Sequence, residues 1–203
     1  SEYRNLEATK KILDEIHKIT TREWNIMEIC GGQTHSLVKN GILELLPEKV
    51  RMIHGPGCPV CVTPLSLIDK AIELLEQGLI VCSFGDMIRV PGSKKSLLEA
   101  KALGGNLRIL YSPIEAVSIA KENPDKEVVF FAVGFETTAP ANALSVLHAE
   151  KEGILNYSIL ASHVLVPPAM EAILDDKFCT IDAFLAAGHV CAIMGIQEYY
   201  PLV

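Results

Sequence analysis

Three of the six cysteines stand in settings that favour thiolate chemistry. Cys30 opens the run Cys30-Gly31-Gly32-Gln33-Thr34-His35, and Cys58 and Cys61 sit inside Gly55-Pro56-Gly57-Cys58-Pro59-Val60-Cys61. A cysteine that ends a strand and precedes two glycines and a helix meets unpaired backbone N–H groups, which favour thiolate over thiol. Gly31 and Gly32 allow a sharp turn that keeps the sulfur accessible. A thiolate with an imidazole such as His35 makes a ligand pair suited to iron or zinc. The alternative is a buried cysteine that packs as a small hydrophobe, with His35 capping the helix. The run by itself leaves both readings open.

The pair Cys58 and Cys61 can close a disulfide or give two ligands to one metal. Pro59 and the flanking Gly-Pro-Gly stiffen that loop. A structural zinc site normally needs a second pair, and Cys179 and Cys191, eleven residues apart, carry no accompanying motif. A dithiol/disulfide switch is therefore preferred over structural zinc. Gly134-Phe135-Glu136-Thr137-Thr138 marks a third place of interest, at a strand-to-helix junction. Thr137 or Thr138 can cap the helix. Glu136 needs a further reason, as a partner for a thiol or imidazole or as a proton relay. The run lacks the Lys-Ser/Thr ending of a phosphate loop. For His54, His163 and His189 the default is a hydrogen-bonded histidine. Cys82, Cys179 and Cys191 read as inert core.

These residues need elements to position them. Apolar runs predict strands at 26–29, 50–53, 79–83, 107–110, 128–133, 157–161 and 181–185. Helical spacing predicts helices at about 3–19, 36–46, 64–76, 94–103, 114–121, 138–152 and 168–175, with Pro64 and Pro168 in first turns. Buried-looking strands that alternate with helices imply an α/β fold with parallel sheets. The motifs all follow strands, at the carboxyl edge where open α/β sheets build their sites. Tyr111-Ser112-Pro113 is the expected division between a first domain, 1–112, carrying both cysteine motifs, and a second, 113–203, carrying Gly134–Thr138.

With 203 residues, 49% of them hydrophobic, the chain is ample for a packed core. A net charge of -7 with no basic stripe argues against a nucleic-acid partner. No apolar run is long enough to span a bilayer and the N-terminus is not signal-like, so no membrane role and a cytoplasmic location are expected. The first residue is Ser1 rather than Met, which suggests a processed or excised chain.

The run from Met27 to Pro64, MEICGGQTHSLVKNGILELLPEKVRMIHGPGCPVCVTP, is followed by FGDMIRVPG, YSPIEA, GFETTAPANA, HVLVPPAM and IDAFLAAGHV. In this order they resemble the HypD family of nickel–iron hydrogenase maturation proteins along nearly the whole chain. The resemblance implies two α/β lobes facing a cleft, plus an iron–sulfur domain. It implies a scaffold that works with a small HypC-type chaperone to hold iron while cyanide and carbon monoxide are attached, giving an Fe(CN)2CO group. Cyanide would arrive through a HypE-type donor. On the matching positions it implies Cys30 as the iron ligand with His35 close by, Cys58 and Cys61 as a redox dithiol, and Glu136 and Thr137 in the cleft motif. The family's first motif often has a histidine where Gln33 stands. Gln33 is a poor ligand for a soft metal, leaving His35 as that run's imidazole candidate. The cysteine-rich region that carries the family's 4Fe–4S cluster does not occur before Val203, so a fragment is expected. The rivals are a stand-alone thiol–disulfide oxidoreductase, in which Cys30 is dispensable, and a zinc-stabilised binding module, which chelation would unfold.

Overall fold

The computed structural model describes residues 5–202. Its strands are β1 (Trp24–Glu28), β2 (Val50–His54), β3 (Ile80–Ser83), β4 (Leu107–Ile109), β5 (Val128–Gly134), β6 (Tyr157–His163) and β7 (Ala183–Leu185). Its helices are α1 (Leu6–Ile19), α2 (Gly31–Lys39), α3 (Pro59–Val62), α4 (Leu65–Glu76), α5 (Leu97–Ala102), α6 (Pro113–Glu122), α7 (Ala139–Lys151), α8 (Val166–Leu174) and α9 (Gly188–Met194). Every predicted strand overlaps an observed one, and the fold is α/β with two parallel sheets. The predicted start of α1 at Tyr3 lies outside the described residues.

The chain forms two compact units. The first takes in the chain up to Cys58, Val166–Cys191 and the stretch from Gly195 on; the second is Pro59–Leu165 with Ala192–Met194. The first unit holds the sheet β2-β1-β7, in which Glu28 stands opposite His54 on one side and Leu185 on the other. Asp182 braces the entry to this sheet. Its carboxylate accepts from the backbone N–H of Asn25 at 2.8 Å and from Arg22 at 2.8 Å.

The second unit holds the sheet β4-β3-β5-β6. All seven residues of β5 are buried, as a central parallel strand covered on both faces requires. Alternation sorts them. Phe131 and Val133 join Ile68, Leu75 and Leu97 on one face, while Phe130 and Ala132 join Ala116 and Ala120 on the other.

The division expected at Tyr111–Pro113 is not where the units part. β3 and β4, before it, share a sheet with β5 and β6, after it, while β7 returns to β1. Ser112-Pro113 is instead the start of α6. Ser112 is the N-cap, Pro113 fills the first turn, and Glu115 Oε1 accepts the Ser112 N–H at 2.8 Å. A capping box and a domain boundary share the same turn-forming residues, which explains the misreading. Likewise the helix predicted at 36–46 begins five residues earlier as α2. It is followed by a turn in which Gly41 adopts φ 62, and then by a short 3-10 segment, Leu43–Leu45.

Candidate functional site

In the first unit, the strand order β2-β1-β7 means that the chain leaves β1 toward β2 on one side and meets β7 on the other. A crevice forms at such a reversal, outside the strand carboxyl ends. Cys30 occupies the loop from β1, as the extended N-cap of α2 with φ -111 and ψ 130. Gln33 then ties this loop down. Its Oε1 accepts the Cys30 backbone N–H at 3.0 Å, and its Nε2 donates to the Ala186 carbonyl beyond β7 at 2.9 Å. The residue dismissed as a poor metal ligand thus fixes the backbone of Cys30 across the reversal point. The spacing Cys30-x-x-Gln33 was a visible signal, being that of a capping box.

The loop after β2 lies against the same edge. The Gly55 N–H donates to the Glu28 carbonyl at 2.8 Å, extending the ladder by one rung. A Cβ on Gly31 would stand 3.9 Å from the Cys58 backbone nitrogen, so the two cysteine loops are neighbours. Cys30 and Cys58 are half-buried and His35 is exposed on α2. Below them, the Glu28 carboxylate is fully buried at the end of the central strand and hydrogen-bonds His54 Nδ1 through Oε1. The default reading of His54 as a hydrogen-bonded histidine agrees with this. Glu28 itself was passed over, although it is the acidic residue in the otherwise apolar run Ile26-Met27-Glu28-Ile29.

In the second unit, α3 contains Cys61, which is exposed, and lies against β5. The Thr63 hydroxyl donates to the Pro59 carbonyl at 2.8 Å, securing this single turn from its far end. β5 runs out into Glu136 and Thr137, both half-buried. Thr138 sits under Gly134 so closely that a Cβ there would overlap its hydroxyl, which explains the glycine. The end of β6 supplies His163, whose Nε2 lies 3.0 Å from Thr138 Oγ1 and 3.0 Å from Asn142 Nδ2. Burial pushes the His163 pKa below its ordinary value, with Glu136 acting in the opposite direction. His163 too is hydrogen-bonded, as expected. Cys82 is fully buried, and burial raises its thiol to about 12, in keeping with an inert core cysteine. Cys179 and Cys191, expected in the core as well, are only half-buried.

The predicted site residues therefore divide. Cys30, His35 and Cys58 belong to the first unit, and Cys61, Glu136 and Thr137 to the second, the chain passing from one to the other between Cys58 and Pro59. Among the described residues, no group of three or more His, Cys, Asp or Glu side chains is placed to hold a metal ion. No helix among them is long and apolar enough to cross a membrane.

Comparison with known proteins gives a consistent result. The family model HypD, described as the hydrogenase formation hypA family, matches residues 7–203. The chain is 44% identical over 207 residues to the hydrogenase maturation factor HypD of Rhodobacter capsulatus, covering 98% of this chain and 55% of that protein. It is 49% identical over 187 residues to HypD of Azotobacter vinelandii, covering 89% of this chain and 49% of that protein. With HypD of Escherichia coli K12 the identity is 42% over 206 residues, covering 98% and 55%. The chain thus spans about half the length of the curated relatives it matches.

Proposed function

The chain belongs to the HypD family of hydrogenase maturation factors, and from that premise we propose that it is the part of a maturation scaffold that grips iron during assembly of its diatomic ligands. Iron is cargo in this reading. The Cys30 thiolate anchors it, its soft sulfur matching an iron centre that carries cyanide and carbon monoxide. A HypC-type chaperone shares the cargo and a HypE-type protein delivers cyanide. The observation that carries the reading is the meeting of the Cys30 and Cys58 loops at the carboxyl edge of β1 and β2.

Cys58 and Cys61 serve as the redox pair. Cys58 directly precedes Pro59, the first residue of α3, and Cys61 is the third residue of that helix. The two thiols can cycle between dithiol and disulfide, an exchange of two electrons and two protons. Glu136 and Thr137 belong to the same unit as Cys61, and the Glu136 carboxylate is suited to exchange protons there. A 4Fe–4S cluster in the family's cysteine-rich region would reload the dithiol. The cytoplasm, where thiols are kept reduced, is the compartment that suits this cycle.

The test is iron analysis of protein co-purified anaerobically with the HypC-type partner. Cys30→Ala should lose the iron, while Cys58→Ser and Cys61→Ser should keep it but fail to exchange electrons. Iron retained in full by Cys30→Ala would refute the anchor. Disulfide exchange on unrelated proteins by Cys58 and Cys61, undiminished in Cys30→Ala, would favour a stand-alone oxidoreductase.

A further inference from the structure

The buried carboxylate beneath Cys30 is unexplained by the fold alone. Glu28 is 0% exposed, yet among the described residues its Oε2 has no hydrogen-bond partner, and its Oε1 is engaged by a ring that is itself half exposed. Burying a carboxylate at the end of a central strand is costly unless it is paired. A stability role would place an apolar residue here, like the neighbouring Ile29. What Glu28 does achieve is control of His54. A carboxylate oxygen only accepts, so His54 Nδ1 carries the proton, and Nε2 is left with a lone pair. A histidine whose far nitrogen is held by a carboxylate is how proteins orient an imidazole for a metal and raise its basicity.

The register sets His54 and Cys30 at the same carboxyl end of two neighbouring strands. Glu28 and His54 are opposite each other, and the segments beyond them stay side by side through Gly55 and Cys58. Cys30 is two residues past Glu28 on an extended backbone, hence on the same face of the sheet as Glu28 and His54. Two residues advance about 6.6 Å and neighbouring strands lie about 4.8 Å apart, so the Cys30 and His54 Cα atoms are roughly 8 Å apart. A thiolate and an imidazole extending from such positions can reach the roughly 3.5 Å separation that bonds of about 2.3 Å to sulfur and 2.0 Å to nitrogen set at a tetrahedral metal. His35 has no such support. It lies exposed on α2, and its ring has no hydrogen-bond partner among the described residues.

We propose that His54, rather than His35, is the imidazole that grips the iron beside Cys30, and that Glu28 is its positioning residue. The proposal rests on the iron-scaffold reading and can fail independently of it. Titration of the 203-residue chain with cobalt(II) under anaerobic conditions reads both, because thiolate-to-cobalt absorption reports the sulfur. Cys30→Ala should abolish that absorption; if it persists, the scaffold reading itself falls and this proposal with it. Given a Cys30-dependent signal, His54→Ala should weaken cobalt binding at least tenfold and Glu28→Gln by about 10- to 100-fold, with His35→Ala unchanged. Wild-type affinity in both His54→Ala and Glu28→Gln would overturn the proposal while leaving Cys30 as the anchor.

A measurement on the unaltered chain guards against misfolded variants. Nitrogen-15 spectra of the histidine rings should show His54 protonated on Nδ1 and not on Nε2, and zinc(II) should move the His54 Nε2 signal while leaving His35 in place. A proton on His54 Nε2, or a zinc response at His35 alone, would overturn it.

Discussion

Gly55 is the residue on which the meeting of the two cysteine loops depends most sharply, and replacing it by alanine gives a quantitative test. Its backbone is not in the left-handed region, so the cost is purely steric. The added methyl would run into the Glu28 carbonyl oxygen, and would stand 3.2 Å from the Glu28 carbonyl carbon and 3.3 Å from Met27 Cγ. The obstacle is backbone in the central strand, which cannot swing aside. Moving it stretches the 2.8 Å hydrogen bond from Gly55 N–H to that same carbonyl. Overpacking costs about 1–3 kcal/mol and a weakened hydrogen bond about 0.5–1.5, so Gly55→Ala should lose roughly 2–4 kcal/mol. Trp24, the only tryptophan, lies in the first rung of β1, under the Arg22 guanidinium at 3.7 Å, and its fluorescence during urea unfolding follows this unit. Gly41→Ala in the same unit is the control. Gly41 has φ 62 and only Glu44 Oε2 nearby, at 3.6 Å, so it carries a conformational cost of about 1–2 kcal/mol without a clash. If Gly55→Ala cost no more than Gly41→Ala, the close approach of the two loops would be wrong.

Three further outcomes follow from other parts of the molecule. Phe130 is fully buried and meets Phe84 edge-on at 5.2 Å, so Phe130→Ala should cost about 3–5 kcal/mol in denaturant unfolding; a loss under 1 kcal/mol would contradict the packing of that face. The Asn25 N–H and then Arg22 hold the Asp182 carboxyl below its usual 3.8, so the folded chain binds this proton less readily than the unfolded one. Its stabilisation should be complete above pH 3.8 and fade as the pH falls through the lower folded value. Asp182→Asn should therefore flatten the acid limb of the stability curve, and an unchanged limb would argue against the brace. Finally, timed alkylation read by mass spectrometry should label exposed Cys61 early and buried Cys82, raised to about 12, only on unfolding. Simultaneous labelling in the native chain would contradict that difference.

Local signals carried the strands well. The run Val128–Gly134 is apolar throughout because both its faces are covered, and Val50–His54 begins within one residue of a turn-forming Pro-Glu-Lys segment. What local signals did not carry is the return of β7 to β1. That pairing joins residues such as Ile26 and Ala183, and Asp182, reaching Asn25 and Arg22, and Gln33, reaching Ala186, mark it in the side chains. An aspartate before a short strand looks like any loop residue until its partner is known. Ser112-Pro113 was misjudged for the opposite reason, since its chemistry is common to helix starts and linkers. In the candidate site, Cys30 and Cys58 stand out in the sequence by residue type and by the glycines around them. Gln33 reads in the sequence only as a poor metal ligand, and Glu28 belongs to neither cysteine motif. Each acts instead on a neighbour, one on the backbone of Cys30 and the other on the ring of His54. Positioning residues of this kind are defined by a partner in space, which a sequence does not display.

The central claim, that Cys30 holds iron while its diatomic ligands are assembled, is tested most directly by the infrared spectrum of the chain isolated anaerobically with its maturation partners. Cyanide and carbon monoxide on iron absorb where protein does not. The account predicts those bands for the wild-type chain and a blank window for Cys30→Ala. The same bands at full strength in Cys30→Ala would contradict it.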